Sequence, residues 1–156
     1  MTTLGKLGWL VSLILTLVLL AGAYLFLVKG SVTAGADGRT VVQLTLAERA
    51  KVLGEMRTML ETVQAVTAYL AENDIAAIEP AARAVGMVAT AGESPAMMAK
   101  LPLEFKTLGF STHQAWDGIA DLAKVGATPG DITTALADIL LNCTACHASY
   151  QFAIDG

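Results

Sequence analysis

Near the end of the chain, Cys143-Thr144-Ala145-Cys146-His147 sets two thiols three residues apart, with an imidazole directly after the second. On a helix, positions i, i+3 and i+4 project from one face. Both thiols can then form thioethers with the vinyl groups of a haem while His147 reaches the iron from the same side, which is the chemistry of c-type haem attachment. Two other chemistries use paired cysteines. A dithiol redox site expects a strand leading into a helix within a βαβ pattern, and no strand run precedes Cys143. A zinc site needs four ligands; with two Cys and two His in the whole chain, His113 would have to be recruited and His147 would have to bind beside Cys146. One covalently attached haem c uses all three motif side chains without further recruitment.

The rest of the composition narrows the function by exclusion. A formal charge of −4 argues against nucleic acid, which demands a basic footprint. Both cysteines belong to the motif, so no disulfide framework reports on compartment. No Gly-rich phosphate loop, serine-centred nucleophile motif or prominent carboxylate pair stands out, and no enzymatic conversion is expected. At 156 residues the chain suits one domain with a small addition.

That addition is N-terminal. Leu10 to Val28 is a run of 19 uncharged residues flanked by Lys6 and Lys29, long enough to cross the ~30 Å hydrocarbon core as a helix. Residues 1–29 are therefore expected to form an uncleaved anchor. The competing reading is a signal peptide cut near Ala21-Gly22-Ala23 or Ala34-Gly35-Ala36, but a cut after Ala23 would leave Tyr24 to Val28 as an exposed apolar start. The flanking charges hardly decide orientation. Haem attachment does, because in bacteria it is expected outside the cytoplasmic membrane, which puts the C-terminal domain in the periplasm of a single-pass inner-membrane protein.

Residues 30–44, interrupted by Gly30, Gly35 and Gly38, are expected to be a flexible tether of up to about 50 Å. Val41-Val42-Gln43-Leu44 has strand character but no partner run beside it. Residues 45–156 are expected to form the haem-binding domain. Thr45-Leu46-Ala47-Glu48 is a capping box opening a long helix. Leu46, Leu53, Leu60 and Thr67 form one inward seam, and Met56, Val63 and Leu70 the other. Asn73-Asp74 divides this helix from an Ala-rich second one, Ile75 to about Ala91, with Pro80 in or near its first turn. After a loop from Gly92 to Lys100, a third helix starts near Pro102, or is interrupted near Gly109 and restarts at Ser111-Thr112, with Phe105, Thr112, Trp116, Ile119 and Ala123 inward. The fourth, Asp131 to Gln151, carries Ile132, Leu136, Leu140, Cys143, His147 and Tyr150 on its inward stripe. Four amphipathic helices on short connections make an all-α, antiparallel four-helix bundle preceded by one transmembrane helix.

A bundle with Cys143-x-x-Cys146-His147 near its C-terminus resembles the class II cytochromes c, the cytochrome c-prime family and its low-spin, Met-ligated relatives. The similarity covers about Leu46 to Phe152 and includes the arginine-bearing first helix with an inward Met, Asn73-Asp74, Leu101-Pro102, Phe110 to His113 and Cys143 to Tyr150. The resemblance implies electron transfer between redox protein partners at the membrane, a helix-packed homodimer for which the anchor can substitute, His147 as proximal ligand and Met56 as distal ligand. Met59 and His113 are the alternative sixth ligands. An iron with no sixth ligand would instead be five-coordinate and bind small gases such as NO or CO, with Leu53 as a blocking group. Many members carry a basic residue after the aromatic that follows the motif; here Gln151 follows Tyr150, which removes a proximal charge. Trp116 is expected to be core.

Overall fold

The computed structural model describes residues 3–155. It is mostly helical, with a small three-stranded sheet. Helix α1 (Thr3–Ala23) continues through a π-helical turn, Tyr24–Lys29. The span Lys6–Lys29 is 24 residues long, apolar enough to cross a membrane and nowhere buried against the rest of the chain; a signal sequence meets the same criteria of length and composition. Gly30 ends it with φ +68°, and a Cβ there would stand 2.5 Å from the carbonyl oxygen of Lys100, so only glycine allows the chain this close to the α4–α5 junction.

The stretch 30–44 is not a flexible tether. It folds into β1 (Val32–Ala34) and β2 (Thr40–Leu44), an antiparallel pair, and β2 pairs in parallel with β3 (Tyr150–Ile154). Val42 and Leu44 are fully buried. The strand has two partners, one a few residues upstream and one at the far end of the chain. The expected fourth helix had absorbed Tyr150 and Gln151 and so concealed the second. The sheet holds the hydrogen bonds that a lone strand would leave unpaired.

Helix α2 (Leu46–Glu72) opens on the predicted capping box: Glu48 N–H donates to Thr45 Oγ1, and Thr45 N–H donates to the Glu48 carboxylate at 2.7 Å. Its inward seam differs from the expected one. Leu46 and Leu60 are 65% and 67% exposed, whereas Val52 and Val66 are buried and Met59 packs against the core, so the first series runs one residue earlier. Met56, Val63 and Leu70 stay on the inner side. Asn73 closes α2 in the left-handed region and Asp74 caps α3 (Ile75–Ala84), accepting from Ala77 N–H.

Helix α3 is shorter than predicted, ending before a 3₁₀ turn at Met87–Thr90. Pro80 lies in its second turn rather than its first, where it removes the donor for the Ala76 carbonyl. The expected 92–100 loop contains α4 (Pro95–Lys100), capped by Ser94. Helix α5 (Leu103–Lys124) is continuous, with the five predicted inward residues buried. Helix α6 (Pro129–Ser149) is capped by Thr128 with Asp131 and ends two residues earlier than expected; Ile139, not Leu140, is buried in it.

Two apolar cores result. One gathers Val66, Ile78, Trp116, Ile119, Ile132 and Ile139 among the helices. The other gathers Val42, Leu44, Val52, Met97, Phe105 and Tyr150 where the sheet meets α2, α4 and α5. Helix α5 packs on α3 and α6, and α2 packs on α3, but α2 and α6 meet only sparsely. Cleft space borders both α2 and α6.

Candidate haem site

The motif lies wholly within α6, so its three side chains share a helical face as the spacing requires. Cys143 packs against the helical core and Cys146 against the sheet-side core, which sets the pair across the seam between the two. Across the gap α2 repeats the division, with Met59 against the first core and Met56 against the second. His147 is exposed at the rim.

A cleft of about 620 Å³ opens between these helices, lined by Cys143, Cys146 and His147 on one side and by Met56, Met59 and His113 on others. A second cleft of about 690 Å³ shares Met56, Phe105, Cys146 and His147 with it and adds Arg39, Arg49 and Leu53. All six residues proposed from the sequence as attachment points or ligands therefore border one space. Leu53 borders only the second cleft; Val52, one residue earlier, borders the first. Trp116 is fully buried in the helical core.

The donor chemistry fits haem better than its competitors. Both cysteines are free, and burial pushes both thiols above their ordinary pKa, with the neighbouring Cys143 adding to the effect at Cys146. Redox-active dithiols need the opposite, a lowered pKa and ready thiolate. Among the described residues, no three His, Cys, Asp or Glu side chains converge to hold a metal ion. Zinc needs such convergence, whereas haem iron brings four equatorial nitrogens and asks the protein for axial ligands only.

His113 is held by a hydrogen bond between Nδ1 and the Val85 carbonyl at 2.8 Å. A carbonyl only accepts, so Nδ1 carries the proton and Nε2 is left with its lone pair in the neutral ring. Comparison with protein-family models, curated proteins and solved structures finds no match for the chain, and none of the three assigns it a family.

The sequence reading missed Arg39 and Glu55. Arg39 stands in the supposed tether, and its Nη1 reaches the backbone carbonyl of His147 at 3.4 Å. Glu55 borders the first cleft, and its carboxyl is pushed up to about 7 by burial and then by the charge of Glu93. A helix-surface acid beside a Met offers no signal of this kind in sequence alone. Gln151 itself has a cation beside it: Arg39 Nη2 donates to Gln151 Oε1 at 3.3 Å.

Proposed function

We propose that the chain is a membrane-anchored, periplasmic monohaem c-type cytochrome that carries single electrons between redox partners. The observation that carries this reading is the shared cleft, with two thiols and a histidine from α6 facing two thioethers from α2. Cys143 and Cys146 would hold the haem through their thiols, and His147 and Met56 would ligate its iron. When bound, the haem supplies a one-electron couple, which a His and Met ligand pair raises in potential. Burial favours the protonated form of both thiols. The apolar lining from Val52, Met59 and Phe105 would lower the polarity around a bound haem, which favours the less charged, reduced state.

In this reading α2, α3, α5 and α6 are the four helices of a class II cytochrome, with the sheet as an addition of this chain. Helix α1 is a retained anchor rather than a cleaved signal. The turn after it is fastened to the domain: Lys106 Nζ donates to the Leu27 carbonyl at 2.9 Å and Ser31 N–H to the Lys100 carbonyl at 2.7 Å. Cleavage after Ala23 would leave that fastened, apolar turn as a free end. A washed membrane fraction should retain the protein, and release by salt alone would favour a cleaved signal.

A second reading has a specific observation behind it. The second cleft is lined by Leu53 as well as Met56; a haem there with Leu53 in place of Met56 over its iron would be five-coordinate and open to NO or CO. Absorption spectra of the oxidised and reduced protein, with and without carbon monoxide, separate the two. A sharp low-spin spectrum indifferent to the gas supports the electron carrier; a broad high-spin spectrum that shifts with it supports the gas binder.

A further inference from the structure

Arg39 ends a glycine-bounded turn between β1 and β2, and the sheet carries it to the C-terminal end of α6. Its Nη1 donates to the carbonyl oxygen of His147 and its Nη2 to Gln151 Oε1. Asp37 holds the guanidinium from the other side through Nε at 2.8 Å and Nη2 at 2.7 Å. Gln151 closes the ring, because its Nε2 donates to Asp37 Oδ1 at 3.0 Å. The turn is pressed onto this ring: a Cβ at Gly35 would collide with the Gln151 amide and with the Arg39 carbonyl. Arg39 is therefore fixed by two carboxylate contacts and two contacts from the haem-motif helix or the strand that follows it.

Arg39 also borders the second cleft together with Met56, Cys146 and His147. We infer that Arg39 is a positioning residue that sets the charge beside His147 and raises the reduction potential of a haem attached there, an inference that rests on the haem reading above. The physical reason is Coulombic. Ferric haem carries one more positive charge than ferrous haem, so a fixed cation nearby disfavours the oxidised state more than the reduced one. Arg39 also offsets the negative C-terminal end of α6, where His147 lies in the last turn. The effect is modest, since Asp37 cancels part of the charge and both side chains reach solvent.

The test is a redox titration of the full chain, matured with haem, as wild type and as R39Q, R39K and R39Q/Q151R. Because Gln151 already touches the guanidinium, an arginine at that position returns a cation to the same place from β3. R39Q should lower the equilibrium constant for reduction about two- to five-fold, less at high salt, with the axial-ligand spectrum unchanged. R39K and R39Q/Q151R should both restore most of the loss. An unmoved potential in R39Q, a shift that neither cation restores, or an R39Q chain that takes up no haem would reduce Arg39 to a helix cap and overturn the inference. Wild-type chain without covalent haem would instead end the haem reading itself.

Discussion

The Nδ1 atom of His113 lies 2.8 Å from the carbonyl oxygen of Val85, which ties the ring to the end of α3 and leaves Nε2 without a protein partner among the described residues. Histidines that bind metals are commonly oriented in this way. The same bond also serves plain packing, because Val85 is buried and its carbonyl needs a donor. With Met56 as the sixth ligand, His113→Ala should cost about 1 kcal/mol through the lost hydrogen bond and leave the low-spin spectrum intact. Urea unfolding and visible spectroscopy measure the two effects. Loss of the low-spin spectrum would transfer the sixth position to His113.

Met56 and Met59 stand one turn apart on α2 and both border the first cleft. Met56 is also the one that borders the second cleft with His147. Replacing Met56 by Ala should convert low-spin iron to high-spin and admit carbon monoxide, while Met59→Ala should keep the low-spin spectrum and lose stability by about 2 kcal/mol or more from the cavity left behind. The reverse pattern would make Met59 the ligand.

Gly86 marks a close approach of another kind. Asp117 accepts from Arg83 Nη1 and from Met87 N–H, both at 2.9 Å, and its carboxylate occupies the space that a Cβ at Gly86 would take. Gly86→Ala should destabilise the domain by about 1–3 kcal/mol through this overlap, read as a lower urea midpoint at an unchanged slope. A midpoint equal to wild type would mean that the Asp117 side chain moves aside at no cost.

Stability should also fall as the pH rises through neutrality. Burial and then the Glu93 charge and hydrogen bond raise the Glu55 carboxyl from 4.5 to about 7, with Lys51 opposing. The folded chain then holds a proton that the unfolded chain releases, so stability is lost between about pH 4.5 and 7 as the pH increases. The carboxylates of Asp37, Glu48 and Asp131, all lowered by hydrogen bonds from their partners, act in the opposite sense but only in more acidic solution. Urea midpoints at pH 5 and pH 8 measure the slope, which Glu55→Gln should flatten. An equal slope in the variant would assign it to another group.

Much of the helical frame was legible because its punctuation is chemical. Thr45 with Glu48 and Asn73 with Asp74 mark helix ends by the backbone groups they satisfy, each where expected, whereas Thr128 caps α6 at Pro129, two residues before the expected start at Asp131. The sheet was not legible, since β2 takes its second partner from residues 150–154, a pairing set by tertiary contact. The α2 seam was displaced by one residue for a related reason. Leu46 and Leu60 look like core by type, but the helix turns Val52 and Val66 inward, where the sheet-side and helical cores receive them. That Cys143, Cys146 and His147 converge on one cleft was legible from spacing; Arg39 was hidden because nothing local ties residue 39 to residue 147.

The central claim is covalent haem at Cys143 and Cys146, and intact mass of the denatured protein tests it most directly. The full chain would be expressed with a c-type haem-attachment system beside a Cys143→Ala/Cys146→Ala variant. The account predicts that the wild type gains the mass of one haem that survives denaturation, and that the double variant gains none. A wild-type mass equal to that of the bare polypeptide would contradict it.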